Sequence, residues 1–230
     1  MNIYWDIVEL PGVKVIPSKR FRKIVEKLLK ALDDGLIDFV DLVKVSQYDL
    51  SSTKKSRGDV SSSINRISRA TKADRRDILK ETSSSYMFVT AVFYAIKDLD
   101  RESKLQFLIE PRLEPGSYTY DYAIYDPVEG RLKVVAEVKR LRSLANIGEY
   151  LETFMNKTEK CLATESIHRI ALHIHLTPEI LEKYQGVEEL LLGLGKDIQL
   201  SKCKLTLITS SGDTLDEFMR ILGNQIQHLI

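Results

Sequence analysis

Apolar and polar positions alternate with two distinct periods along this chain. In "SKRFRKIVEKLLKALDDG", residues 18–35, Phe21, Ile24, Val25, Leu28, Leu29 and Leu32 recur three and one apart. That spacing predicts an amphipathic helix, with Ser18 as its N-cap and Gly35 as its stop. "SSYMFVTAVFYAIKDL", residues 84–99, is apolar nearly all round and long enough for a buried helix, with its Val, Phe and Tyr content leaving a strand as the alternative. "KLQFLIEPR" reads as a strand, and "YDYAIYDPVEGRLKVVAEVKR", residues 120–140, as two strands joined by a turn. "NIGEYLETFMNKTEKCLA" then puts Ile147, Tyr150, Leu151, Phe154, Met155 and Leu162 on one helical stripe. "RIALHIHL" and "CKLTLITS" are two more strands, separated by a helix around "GVEELLLGLG". "TLDEFMRILGNQIQHLI" closes the chain as a helix whose Leu215, Phe218, Met219, Leu222, Ile226 and Leu229 face inward.

From residue 83 the order is helix, three strands, helix, strand, helix, strand, helix. This order predicts an α/β fold in which a mixed β-sheet is flanked by helices: an antiparallel meander, then strands reached by helical crossovers. Residues 83–230 are expected to form this core, and residues 1–82 a helical, basic N-terminal extension. Within the extension, residues 51–80 are serine-rich and polar, with few large apolar anchors, and are expected to form a flexible segment. Nine Lys and Arg against three Asp give this stretch a local charge of +6. At 230 residues, 43% of them hydrophobic, the chain can bury a sizeable interior. Its 34 basic and 33 acidic residues nearly cancel, so an affinity for polyanions must come from such patches. Cys161 and Cys203 are too few for a disulfide framework and too far apart for a zinc knuckle. The opening "MNIYWDIVELPGVKV" has neither a basic region nor a long apolar run. A cytoplasmic, intracellular protein that does not enter a membrane is expected.

The hairpin at residues 120–140 carries three charged residues in otherwise apolar strands. With "PVEGR", residues 127–131, as its turn, opposite residues have numbers summing to 258, so Asp121 faces Glu137. The period of two puts Glu137 and Lys139 on one face with Asp121, and Tyr122, Ile124, Val134, Ala136 and Val138 on the other, toward the core. Two carboxylates opposed across a strand pair repel, by roughly 1 kcal/mol at about 4 Å in water and about 4 kcal/mol at an intermediate dielectric. A hard divalent cation, which prefers oxygen ligands, reverses that sign.

Asp121 followed after fifteen residues by "EVK" at 137–139 resembles the catalytic hairpin of the PD-(D/E)xK superfamily, the restriction-endonuclease-like nucleases. The likeness covers roughly residues 83–210 and is nearest to archaeal Holliday-junction resolvases and small nucleases of archaeal viruses. Tyr120 stands where the family often has Pro. The resemblance implies that Asp121 and Glu137 ligate Mg²⁺, which Mn²⁺ can replace, with the Val138 carbonyl as a third oxygen. It further implies that Lys139 holds the attacking water and counters charge on the phosphate. Glu110, ending the preceding strand, is the expected outer carboxylate; family members with a Glu on the first helix point instead to Glu81. The implied activity is a Mg²⁺-dependent DNA endonuclease, acting on duplex or branched DNA as a homodimer.

In the +6 stretch, Lys54, Lys55, Arg57, Arg66 and Arg69 are expected to contact the nucleic-acid backbone, extended by Arg140 and Arg142 after the motif. No base-reading helix or stacking platform is evident, which favours shape over sequence recognition. His173 and His175 share one face of their strand and are expected to be half-exposed. The rival to a nuclease is a non-catalytic nucleic-acid-binding or assembly protein that keeps the fold.

Overall fold

The computed structural model describes residues 1–47, 54–78, 81–100, 102, 104–116, 118–141, 152–154, 156, 158, 164–176, 198–199, 204–210 and 214–230. The predicted helix around "GVEELLLGLG" lies outside the described residues. Of the predicted 147–162 stripe, only Phe154 is described, and it is buried.

The larger sheet has seven strands among the described residues: β1 (Asn2–Ile3), β4 (Gln106–Ile109), β7 (Tyr122–Asp126), β8 (Arg131–Leu141), β9 (Arg169–Leu176), β11 (Lys204–Ser210) and β10 (Ile198–Gln199), in that spatial order. β4, β7 and β8 form the expected antiparallel meander, while β8, β9 and β11 run parallel. The sheet is therefore mixed, as the element order predicts. A smaller antiparallel sheet joins β2 (Val8–Leu10), β3 (Val13–Ile16), β5 (Arg112–Glu114) and β6 (Tyr118–Thr119). Three of these strands, β2, β5 and β6, are only two or three residues long and too short to carry a period, while β3 alternates over just four residues. β1 pairs with β4 and β3 with β5, so hydrogen bonding crosses the division expected at residue 82.

Both faces of the larger sheet are covered. One face buries Phe107, Ile109, Tyr122, Ile124, Val134, Ala136 and Ala171 under helices α1 (Arg22–Asp33), α2 (Phe39–Gln47) and α5 (Glu81–Ile96) and the C-terminal helix Leu215–Gln227. The other buries Leu108, Ala123, Val135, Ile170, Leu172 and Ile174 with Val13, Val15 and Leu113 of the smaller sheet. At about 1.5–3 kcal/mol for each fully buried large apolar side chain, these two layers fix the sheet that carries the acidic hairpin. The stripe of the C-terminal helix is spent on this packing, since Phe218, Leu222 and Ile226 are fully buried within the chain. Among the described residues no helix is long and apolar enough to cross a membrane.

Three expectations change. The polar stretch 51–80 contains helix α3 (Lys54–Thr71) and the short α4 (Arg75–Ile78) rather than an unanchored segment. Ile64 and Ile67 are buried and Val60 packs beside them; the spacing 60, 64, 67 is helical, and two isoleucines suffice to seat the helix on a core supplied by α1 and α2. Ser18 does not cap a helix with its side chain: a 3₁₀ turn, Lys19–Phe21, precedes α1. His173 and His175 are fully buried, because their face of β9 lies beneath Phe88 of α5, 5.3 and 4.7 Å from the two rings. A hydrogen-bonded chain satisfies them: Tyr122 Oη to His173 Nδ1 at 3.1 Å, then Ser210 Oγ to His173 Nε2 at 2.9 Å and to His175 Nδ1 at 3.0 Å. Burial, reinforced by the neighbouring His175, depresses His173 to about 3, which keeps it neutral.

Candidate active site

Register brings two acidic residues to the same end of the meander. β4 and β7 pair Ile109 with Tyr122, and one step further the Glu110 amide donates to the Asp121 carbonyl at 2.9 Å. Glu110 and Asp121 are thus neighbours across the strands. Glu110 also holds a left-handed backbone, φ 45°, a conformation that costs a non-glycine residue on the order of 1 kcal/mol or more and that clusters at functional sites.

The Asp121 carboxylate is clamped from two sides. Ser85 Oγ on α5 donates to Oδ1 at 2.7 Å, and the Val138 amide on β8 donates to Oδ2 at 2.7 Å. One side chain therefore ties the helix layer to the sheet. N–H and C=O of one strand residue point to the same side, so the Val138 carbonyl also lies on the β7 side of β8. Glu81 opens α5 one turn before Ser85, and its side chain lies outside the described residues.

Electrostatics mark the pair. Glu110 is pushed up to about 7, first by burial and then by the negative charge of Asp121, against the pull of Arg20 and a hydrogen bond from Ser18. Burial raises Asp121 above the usual carboxylate range as well, opposed by its hydrogen bonds from Val138 and Ser85. Two adjacent buried carboxylates, each raised above its ordinary range, mark this end of the meander as a candidate site.

The register of β7 and β8 pairs Tyr122 with Ala136, Ala123 with Val135 and Ile124 with Val134, all summing to 258 as expected. A bulge between Ile124 and Tyr125 then shifts the turn, which spans residues 127–130 and includes Gly130 at φ 64°. Val138 packs on the first core, and alternation places Glu137 and Lys139 on the opposite side of β8, both part-buried. Asp121 precedes the first residue of β7 and escapes that alternation. Its amide bonds the Ala136 carbonyl at 3.0 Å, and its carboxylate turns toward Ser85. The structure thus brings Asp121 to Glu110 and the Val138 backbone, but not onto the expected common face with Glu137 and Lys139: those two leave β8 on the side away from Ser85, because Asp121 lies before β7 and turns toward α5. Among the described residues no three Asp, Glu, His or Cys side chains form a ready-made metal cage. Mg²⁺ does not need one: it binds through one or two carboxylates and keeps several waters for substrate to replace.

The basic residues divide. Arg66 is committed to the buried Asp41 of α2, its Nε 2.9 and 3.1 Å from the two carboxylate oxygens and its Nη2 bonding Oδ1. Arg69 is exposed on α3. The side chains of Lys54, Lys55, Arg57 and Arg140, and the whole of Arg142, lie outside the described residues. What sequence reading missed is Ser85, a hydroxyl that carries no motif of its own and that only packing aims at Asp121. Compared with known proteins, the chain matches no family model and no curated protein.

Proposed function

We propose that the protein is a Mg²⁺-dependent endonuclease that hydrolyses phosphodiester bonds of duplex or branched DNA. The observation that carries this reading is the pairing of Glu110 with Asp121 at the end of β4 and β7, beside the Glu137–Val138–Lys139 run of β8. Asp121 and Glu110, with the Val138 carbonyl, would hold Mg²⁺ or Mn²⁺, Glu137 would have to reach the ion from the other side of β8, and the oxygen-only donor set suits a hard cation. Bound there, the cation supplies charge against the phosphoryl oxygens and lowers the pKa of a coordinated water. Ser85 and the Val138 amide hold Asp121 in one orientation. Lys139 would position the water and offset charge that grows on the phosphate. Two-fold assembly with one site per chain would let both strands be cut.

The test incubates the wild-type chain with duplex, flap, single-stranded and four-way DNA in Mg²⁺ or Mn²⁺, beside Asp121→Asn and Glu137→Ala. Cleavage by the wild type is expected, slowed about 100-fold or more in each variant while DNA binding persists. Failure of the wild type to cut any of the four substrates would overturn the reading and leave a binding or assembly module.

A further inference from the structure

The basic turn ahead of α1 is pinned against the carboxylate pair. The Ser18 amide donates to the Ile109 carbonyl at 3.0 Å, which sets the Ser18 side chain near enough to the Glu110 carboxyl to ease its ionisation. Phe21 is buried with its ring 4.7 Å from that of Tyr86, the residue after Ser85, whose hydroxyl holds Asp121. These contacts fix the turn at both ends. Between them stand Lys19 and Arg20, followed on α1 by Arg22 and Lys23, all four exposed.

Two of the four cations are occupied. Lys19 pairs with Asp6 at 3.3 Å and Arg22 with Glu26 at 2.9 Å. Arg20 and Lys23 take part in no ion pair among the described residues, though the charge of Arg20 reaches Glu110. The Arg20 guanidinium stands over the Phe21 ring, 5.2 Å from its centroid, so a buried anchor orients a planar donor group beside the site. Arg20 and Lys23 are three residues apart and share one side of the turn.

We propose that Arg20, with Lys23, contacts the nucleic-acid backbone and seats a phosphate next to the Glu110–Asp121 pair. The inference rests on the endonuclease reading for its partner and names the surface that delivers that partner to the site. It shifts backbone binding from Arg66, whose guanidinium is engaged by Asp41, to a turn bonded to Ile109, the residue before Glu110. Arg20 serves as a positioning residue: it acts through the phosphate it holds.

The experiment measures anisotropy of a labelled DNA duplex with the full chain, without divalent metal, from 50 to 200 mM salt. Arg20→Gln is expected to reduce the slope of log affinity against log salt by about 0.9, and Arg20→Gln with Lys23→Gln by about 1.8. The affinity lost over that fourfold rise in salt then shrinks about 3.5-fold per cation removed. Arg20→Lys should restore the wild-type slope. Lys30→Gln, in the last turn of α1, should leave it unchanged. An unchanged slope in the double variant, an equal fall in Lys30→Gln, or no duplex binding by the wild type overturns the proposal. Metal-dependent cleavage, assayed separately, keeps the two readings apart. Cutting by the wild type with an unchanged double-variant slope sinks only the Arg20 surface. A reduced slope in a chain that cuts nothing sinks only the nuclease.

Discussion

Glu110 bears two costs at once, a left-handed backbone and a carboxyl pressed against a second one. In the unfolded chain it titrates near 4.5, in the folded chain near 7. Below pH 4.5 both states hold the proton and the carboxyl costs nothing. Between 4.5 and 7 the unfolded chain releases its proton first, so this group's contribution to stability falls as pH rises; above 7 the penalty is complete, about 3 kcal/mol at 1.36 kcal/mol per unit. Glu110→Gln is therefore expected to be about 2–3 kcal/mol more stable than wild type at pH 8 and equal to it at pH 4. Urea unfolding at the two pH values reads this directly. No gain at pH 8 would mean that Asp121 and burial do not press on the group. A gain of stability on removing a carboxylate proposed to bind metal would be the usual exchange between activity and stability.

At the scale of elements, α3 shows how a polar sequence becomes ordered. Its serines include the buried Ser63, and its seat is Ile64 and Ile67 with the Asp41–Arg66 pair alongside. Asp41 is fully buried and also accepts the Asp38 amide at 3.0 Å, so it joins the start of α2 to α3. Arg66 keeps its own carboxylate partner below the usual range, by hydrogen bonding that outweighs the burial of Asp41. Breaking a fully buried pair costs about 3–5 kcal/mol, but Arg66 is 50% exposed and water screens the loss. Arg66→Gln should thus lower stability by about 1–2 kcal/mol, with the salt dependence of DNA binding unchanged. Thermal unfolding and the anisotropy titration measure both. A reduced salt slope with unaltered stability would return Arg66 to the nucleic-acid surface.

For the whole molecule, a cation between the acidic residues would bind the folded chain and not the unfolded one. At a Mn²⁺ concentration about 100 times Kd this linkage adds about 2.7 kcal/mol, a rise in Tm of about 5–10 °C for a chain of this size. The rise should vanish in Asp121→Asn, and differential scanning fluorimetry with and without chelator checks it. An identical rise in that variant would place the cation elsewhere.

Most of the larger sheet was written in local periodicity. Alternation of residue types gave β9 at 169–176, although every residue of that strand is buried, and it gave the pairing of β7 with β8 as far as Ile124. The all-round apolar run gave α5, and the i, i+3, i+4 stripe gave α1. Asp121, Glu110 and the Glu137–Lys139 run could be singled out as charges in strand-forming segments. Tertiary structure alone decided the rest: that Glu110 stands beside Asp121, that Ser85 holds Asp121, and that both histidines are buried. It also decided that residues 2–3 and 13–16 complete sheets formed about a hundred residues later. A period reports only which way a residue faces within its own element. Which partner it meets depends on the closure of long loops over a shared core, and no local pattern encodes that distance.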